Sequence, residues 1–402
     1  MIEEYRALTE GDVVVGQPLR FSVFDETKTL LLSKGNVVTS EHQRERLLKQ
    51  KVFISLKEER QALEEKSRKQ EAKNFMSVFE WVDGHYKVLS KVYQTIHTGD
   101  DKNREKIQLI AERIYRLSEK HGDGLLAACQ LSEGKIYSHI KALRVALLCE
   151  ALGRRAGLNA SVRLPMIAAG LTHDLGMWKL QEEIRLCKDP LTDKQWHEIR
   201  EHTDKGQEIL QACGIGNKLW LDTVGQHHER LDGTGYPKGL KEEQILPSAR
   251  ILAIADTFAA MVRPRGDRDE LMCKDAMRDI FLDRGKQIDA TLAQLFIKEL
   301  GLFAPGSIVR LVTNEIGVVT GAGNVASSPD VEVIIDAKNR PLQTTIYRDT
   351  SQKNFAVSEI INKPDHPNFD AVLSGMWPRV PKFVQATLQG YFKETEAKNK
   401  ED

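Results

Sequence analysis

The sequence has few cysteines, and none of them forms a close pair. Its five cysteines are scattered along the chain, at Cys129, Cys149, Cys187, Cys213 and Cys273. Because no CxxC pair occurs, the pattern favours neither a zinc ribbon nor a disulfide framework. Most of these cysteines lie in apolar, helical contexts. We therefore expect reduced thiols in the core of a cytoplasmic protein.

Long hydrophobic runs and an excess of one charge are missing as well. No apolar run approaches the roughly 18 residues that a membrane-spanning helix requires. The beginning, MIEEYRALTE, lacks the basic and then apolar pattern of a signal peptide. Lys and Arg together number 58, as do Asp and Glu, so no global basic field favours a nucleic-acid polymer. We expect no membrane and no nucleic-acid polymer as partner, whereas a small anionic ligand needs only local arginines.

Hydrophobic periodicity predicts a mainly α chain with smaller β-rich parts. Residues 1–56 alternate like strands and predict a small β-rich N-terminal domain. Residues 57–75 are almost free of apolar side chains and are typical of a charged linker. Apolar residues at three- and four-residue spacing predict a helical domain over 76–302. Residues 303–350 predict a small β element, and 351–402 a C-terminal tail with some helix.

An ordered series of histidines and carboxylates runs through the helical region. It comprises His139, His173-Asp174, His202, His227-His228-Glu229 and Asp256. Ionised Asp is seldom buried unless it is paired or metal-bound, so Asp174 and Asp256, on apolar helices, require an explanation. A lone histidine is more often an ordinary core or surface residue. The combination, however, predicts a metal site, because imidazole nitrogens with carboxylate oxygens suit iron, manganese, zinc or nickel.

The stretch HHERLDGTGYPKGL, from His227 to Leu240, resembles the signature of the HD-GYP phosphodiesterases. Upstream, THDLG around Asp174 resembles the HD motif of that family, and LTDKQWHEIREHTDKG resembles the segment between the two. SARILAIADTFAAMVRPR resembles the helix that follows. The similarity covers about 135–300. It implies an HD-type helical bundle as the catalytic domain.

The resemblance also implies a set of metal ligands and a reaction. The ligands are His139, His173, Asp174, His202, His227, His228 and Asp256. Asp174 would bridge two transition-metal ions, iron or manganese in preference to zinc or nickel, and would hold the nucleophilic water. His173 would be the second catalytic residue. In the family, a metal-bridging water or hydroxide attacks a phosphodiester of cyclic di-GMP and yields pGpG or GMP.

The resemblance also gives roles to two arginines and to the loop that contains the Gly-Tyr-Pro tripeptide. Arg265 and Arg268 match residues that help to hold the substrate. The loop comprises Asp232, Gly233, Gly235, Tyr236 and Pro237. Its two glycines permit positive φ and Pro237 stiffens its exit. In the family this loop is linked to binding of diguanylate cyclase (GGDEF) domains. We expect Glu229 and Asp232 to orient the liganding imidazoles.

Two positions depart from the family pattern. Met177 stands where members usually have a lysine that contacts the ligand phosphate. Lys179 is nearby, but it lies two residues after Met177 on a helix and therefore points to another face. Lys135 stands where members with three metals have a glutamate, which favours two metals over three.

Three functions remain open at this point. The leading one is metal-dependent hydrolysis of cyclic di-GMP. The second, favoured by Met177, is a weakly active or inactive metal-containing sensor of cyclic di-GMP that signals through partners. The third is an HD phosphohydrolase of another nucleotide, against which the intact Gly235-Tyr236-Pro237 signature argues. A regulatory role for residues 1–56, or a homodimer, also stays open.

Overall fold

The computed structural model describes residues 5–61, 63, 74–185, 189–262, 273–364 and 369–382. The chain divides into two compact units, 1–75 and 76–402. Within the described residues, no helix combines the length and the apolar character that a membrane crossing demands. The predicted mainly α architecture with flanking sheets is confirmed.

The described part of the first unit contains a four-stranded antiparallel sheet and a nine-residue helix. Its strands are Tyr5–Ala7 (β1), Val23–Phe24 (β2), Leu30–Leu32 (β3) and Phe53–Ser55 (β4), in the order β1-β4-β2-β3. The helix Glu41–Lys49 (α1) begins at Ser40, whose hydroxyl accepts a hydrogen bond from the Gln43 N–H. The alternating residues 12–22 are not the long strand that their pattern suggests. Gly16 has a φ of +81° and Pro18 has no N–H to donate, and both interrupt a strand.

Within the described residues of the second unit, ten helices lie between residues 78 and 300. They are Val78–Thr95 (α2), Asp101–Leu131 (α3), Tyr137–Arg155 (α4), Ala160–Thr172 (α5), Trp178–Arg185 (α6), Asp193–Ala212 (α7), Lys218–Gln226 (α8), Pro247–Met261 (α9), Cys273–Asp283 (α10) and Ala290–Leu300 (α11). Thr192 caps α7 in a reciprocal arrangement with Gln195, as its position before the helix predicts. Ser77 caps α2 in the same way with Glu80.

Helix α4 lies at the centre of this bundle, packed against α3, α5 and α9. Nearly every side chain from Tyr137 to Leu152 is buried, including several charged ones. A helix buried on all sides is normally apolar, so its charged residues need partners within the protein. Glu150 forms an ion pair with Arg163 of α5. Lys141 finds its partners among the residues of the candidate metal centre.

A five-stranded antiparallel sheet follows the helices. Its strands are Ile308–Leu311 (β6), Ile316–Val325 (β7), Ser328–Ile335 (β8), Pro341–Asp349 (β9) and Val357–Ile360 (β10), in the order β10-β6-β7-β8-β9. Asn314 has a φ of +64° in the tight turn between β6 and β7. Strand β10 lies beyond residue 350, where the sequence placed the end of this element. Short strands at Phe75–Met76 (β5) and Val380–Pro381 (β11) and the helix Phe369–Met376 (α12) complete the described elements.

Candidate metal centre

Three histidines of the centre are oriented by the same type of hydrogen bond to the backbone. The Nδ1 atoms of His173, His202 and His227 each donate to the backbone carbonyl three residues earlier, of Gly170, Ile199 and Val224. His173 and His227 stand at the ends of α5 and α8, and His202 lies within α7. In each case the carbonyl three residues earlier lies within reach of Nδ1. This hydrogen bond fixes the ring and directs Nε2 to the interior of the centre.

His202, His227 and His228 form a group that we call the imidazole cluster. The Nε2 atoms of His202 and His227 lie only 3.3 Å apart. Because their Nδ1 atoms are the donors, two ring lone pairs face each other at this distance. Within the described part of the chain, the buried Nε2 of His228 has no hydrogen-bond partner. The three rings can together offer ligand atoms to one metal ion.

A carboxylate oxygen of Asp174 lies close to the imidazole cluster. Asp174 Oδ1 lies 4.0 Å from His202 Nε2 and is buried without a hydrogen-bond partner among the described residues. A buried carboxylate oxygen without a donor is costly unless a cation binds it. The imidazole cluster and Asp174 Oδ1 therefore fit a divalent transition metal, for which nitrogen and oxygen ligands of this kind are typical.

The pKa directions in the imidazole cluster favour metal binding. Burial, together with the neighbouring His202 and His173, lowers the pKa of His227 to about 3. Burial likewise lowers the pKa of His202, and lowers that of His228 well below its usual range. These imidazoles are therefore neutral near pH 7, and the neutral ring is the form that binds a metal.

His173, Asp174 and Asp256 form a second group, the carboxylate cluster. His173 Nε2 lies 3.0 Å from Asp174 Oδ2 and 3.1 Å from Asp256 Oδ1. Burial lowers the pKa of His173, but the two carboxylates outweigh burial and raise it to about 9. Burial raises the pKa of both aspartates. At Asp174 the positive charges of His173 and Lys141 outweigh burial and lower the pKa. Lys141 and His173 have the same effect on Asp256, so both acids stay ionised.

Lys141 of α4 reaches into the carboxylate cluster. Its Nζ lies 2.8 Å from Asp174 Oδ2 and 2.6 Å from Asp256 Oδ1, and its side chain is 2% exposed. The Gln181 amide donates to the same Asp174 oxygen at 3.0 Å. Burial lowers the pKa of Lys141, but the two carboxylates reverse this and raise it above its usual value. Lys141 is therefore an ammonium ion in contact with both acids.

His139, expected to be a ligand, does not join either cluster. It lies two residues before Lys141 on α4, and positions two apart on a helix point to different faces. Its ring is buried among Tyr86, Tyr93 and Trp178, and neither ring nitrogen has a hydrogen-bond partner among the described residues. Burial lowers its pKa to about 4. The structure therefore replaces His139 by Lys141 at the centre.

The loop after His228 closes one side of the centre. Tyr236 stacks on His228, with ring centroids 4.7 Å apart and an interplanar angle of 23°. Gly233 has the expected positive φ, of +79°. Gly235 does not; it is needed because a Cβ there would lie 2.5 Å or less from the backbone of Glu229 and Arg230. Close backbone approach, rather than a left-handed conformation, thus explains the second glycine.

Glu229 and Asp232 hold this loop instead of orienting imidazoles. The Glu229 carboxylate accepts hydrogen bonds from the N–H groups of Lys238 at 2.7 Å and Leu240 at 2.8 Å. Asp232 accepts from the N–H and the hydroxyl of Thr234. Both carboxylates are engaged by the loop, so neither acts on a ring nitrogen as the sequence suggested.

A cavity of about 480 Å³ opens beside the two clusters. Its walls combine cluster residues with aromatic, apolar and charged side chains, among them Tyr137, Met177, Arg185, Trp196 and Tyr236. The volume falls within the range of small-molecule sites. The expected substrate residues Arg265 and Arg268 lie outside the described residues.

Comparison with known proteins matches this helical region to one domain family. Residues 111–292 match the model described as "HD domain". The chain is 31% identical over 253 residues to a cyclic di-GMP phosphodiesterase of Pseudomonas aeruginosa, covering 63% of this chain and 59% of the relative. It is 35% identical over 134 residues to the 3'3'-cGAMP-specific phosphodiesterase 1 of Vibrio cholerae, covering 33% of this chain and 31% of the relative.

A further relative is the cyclic di-GMP phosphodiesterase of Thermotoga maritima, 31% identical over 162 residues, with 40% of this chain and 44% of the relative covered. The chain thus spans less than two thirds of the length of each of these relatives. Among solved structures, an HDG"Y"P protein of Bdellovibrio bacteriovorus aligns over 73% of this chain and 99% of its own, at 16% identity and a TM-score of 0.47. That likeness is too low to support an argument.

The histidine and aspartate pattern, the helical bundle and the matched residues define an HD-domain protein. The Gly235-Tyr236-Pro237 loop of this domain packs on the imidazole cluster, and its sequence resembles the signature of the HD-GYP family.

Proposed function

We propose that this chain is a metal-dependent phosphodiesterase of cyclic dinucleotides, with cyclic di-GMP as its substrate. The observation that carries the proposal is the imidazole cluster, whose ring nitrogens converge beside an unpartnered oxygen of Asp174 in the described chain. The cavity beside it gives a ligand access to His228 and Asp256. The relatives that act on cyclic di-GMP and on 3'3'-cGAMP support the substrate class.

His202, His227, His228 and Asp174 Oδ1 would hold the metal. When bound, a divalent ion lowers the pKa of water and neutralises phosphate charge. We favour iron or manganese, since these ligands and this class of reaction suit both. The hydrogen bonds from Nδ1 to backbone carbonyls keep the rings in the binding orientation. The stacking of Tyr236 on His228 restrains the third ring.

The cavity walls would recognise the dinucleotide. Trp196 is 48% exposed and lines the cavity, so its face is available to stack on a guanine base. Arg185 also lines the cavity and can donate to a phosphate. We assign Arg265 and Arg268 to the same task from their sequence positions. The exposed side chains of Asp232, Thr234 and Lys238 make this loop the surface that would meet a diguanylate cyclase domain.

A sensor of cyclic di-GMP with little turnover is the second candidate. Met177 lines the cavity where a cationic side chain would stabilise charge at the phosphate, and methionine offers none. The two functions are separated by measuring product formation and ligand binding on the same Mn²⁺-loaded sample. Formation of pGpG or GMP supports the phosphodiesterase. Tight binding of cyclic di-GMP without any product supports the sensor.

A further inference from the structure

The carboxylate cluster already contains a cation supplied by the chain itself. Lys141 Nζ contacts Asp174 Oδ2 at 2.8 Å and Asp256 Oδ1 at 2.6 Å. These two oxygens belong to two of the three residues that could otherwise ligate a metal there. The Lys141 side chain is only 2% exposed, so its ammonium is buried together with its two carboxylate partners.

A metal in the carboxylate cluster would need the same oxygens. An ammonium and a divalent ion cannot both bind them closely, because the two positive charges repel strongly in a buried, low-dielectric place. Nor can Lys141 easily leave, since a buried ammonium without carboxylate partners is very costly. The lysine and a metal are therefore competitors for this half of the centre.

The other half of the centre has no such competitor among the described residues. The three donors on Asp174 are Lys141, the Gln181 amide and His173, and all of them contact Oδ2. Oδ1 is left unpartnered within the described chain and lies on the side of His202. Lys141 thus occupies one side of Asp174 and leaves the other side to the imidazole cluster.

We propose that the Lys141 ammonium takes the place of a second metal ion, so that the centre binds one divalent ion, held by the imidazole cluster and Asp174. This differs from the two ions that the family resemblance implies. It rests on the proposed function only in taking His202, His227 and His228 as metal ligands. Lys141 is then a positioning residue, which fixes Asp174 and Asp256 by charge.

The test counts bound Mn²⁺ in the full chain. Metal-stripped protein is titrated with Mn²⁺ while the free ion is followed by its six-line EPR signal. The wild-type protein should bind one Mn²⁺ per chain. Lys141→Met, which removes the ammonium, and Lys141→His, which adds a ligand, should each bind two, with spectra broadened by coupling between neighbouring ions. Lys135→Met, which removes a lysine paired with Asp83 outside the centre, should bind one.

Two Mn²⁺ in the wild-type protein, or none, would overturn the inference, and this result does not depend on any variant folding. One Mn²⁺ in both Lys141 variants, with circular dichroism spectra like the wild type, would also overturn it. The outcome is separable from the proposed function. If the wild-type protein binds one Mn²⁺ but hydrolyses no cyclic dinucleotide, the proposed function fails and the inference stands.

Discussion

His202 and His227, on α7 and at the end of α8, bring their Nε2 atoms to 3.3 Å from each other in the buried interior. Both Nδ1 atoms donate to backbone carbonyls, so the facing nitrogens carry lone pairs. Their repulsion, and the unpartnered oxygen of Asp174 in the described chain, are relieved when a cation lies between them. The metal is therefore expected to stabilise the fold as well as the reaction.

Metal should raise the thermal stability of this protein. At about 100 times its Kd, Mn²⁺ should add about 2.7 kcal/mol to the free energy of unfolding, because only the folded chain assembles the imidazole cluster. Differential scanning calorimetry of stripped and loaded protein measures this gain. His227→Ala should lose it, whereas the exposed His97→Ala should keep it. Equal gains in both variants would mean that Mn²⁺ binds elsewhere.

Met177→Lys should raise the turnover number. Met177 lines the cavity together with Lys141 and His228, and a lysine there would place a positive charge where the phosphate gains negative charge. Loss of one such group typically costs about 100- to 1,000-fold in rate, so kcat should rise by a part of that factor and more than the affinity changes. Met177→Leu is the control, since it keeps the volume without charge. No gain from the lysine would indicate that another cation already acts on the phosphate.

Arg265→Ala should weaken binding of cyclic di-GMP by about 1–3 kcal/mol, the usual range for a lost charge-assisted hydrogen bond. Metal content should stay unchanged, because arginine is not a metal ligand. Isothermal titration calorimetry with Arg278→Ala as the control measures the effect; Arg278 pairs with Asp275 and Asp279 on the exposed side of α10. Unaltered affinity would remove Arg265 from the substrate site.

Glu229→Gln should loosen the loop that carries Tyr236. The carboxylate of Glu229 accepts from the N–H groups of Lys238 and Leu240, and an amide replaces one of its two acceptor oxygens by a donor. We expect a loss of about 1–3 kcal/mol in the free energy of unfolding and faster hydrogen exchange at both amides. Asp232→Asn, on the exposed part of the loop, should have a smaller effect. Unchanged exchange at Lys238 and Leu240 would contradict this role.

The buried His85 should make the fold sensitive to acid. Burial lowers its pKa from 6.5 to about 4. Its Nδ1 donates to Trp81 O, and its Nε2 accepts a hydrogen bond from Arg113. The unfolded chain binds the proton first as the pH falls, so stability is complete above pH 6.5 and is lost toward pH 4. Between pH 7 and pH 5 this histidine alone should cost about 2 kcal/mol.

Chemical denaturation at the two pH values measures that loss in the wild type and in His85→Gln. The other buried histidines titrate in both proteins, so their effect cancels in the difference. The variant should lose about 2 kcal/mol less than the wild type over this interval. Equal losses would show that His85 keeps its ordinary pKa in the folded protein.

The sequence predicts most of the centre because its residues stand in strong local patterns. His173-Asp174 and His227-His228 lie at helix ends in apolar surroundings, and the structure brings them together with His202 and Asp256. On α4 the prediction is wrong. This helix is buried on all sides, so its apolar periodicity does not reveal which face meets the centre, and a two-residue difference exchanges His139 for Lys141. A lysine in the apolar run IKALRVALL was the signal available.

The roles of Glu229 and Gly235 could not be predicted for a different reason. Each depends on the path of the loop that returns to His228 and Glu229, and this path is set by contacts between residues that are not helical neighbours. A carboxylate beside two histidines suggests a ring partner. Only the folded loop shows that the N–H groups of Lys238 and Leu240 take both of its oxygens.

The most direct test of this account is the hydrolysis of cyclic di-GMP by Mn²⁺-loaded protein, followed by chromatography of the nucleotides. The loaded wild-type chain should form pGpG or GMP, the stripped chain should form neither, and product formation should recover when Mn²⁺ is restored. His227→Ala should form no product at any Mn²⁺ concentration at which it remains folded. Product formation by the stripped protein, or equal rates for His227→Ala and the wild type, would contradict the account.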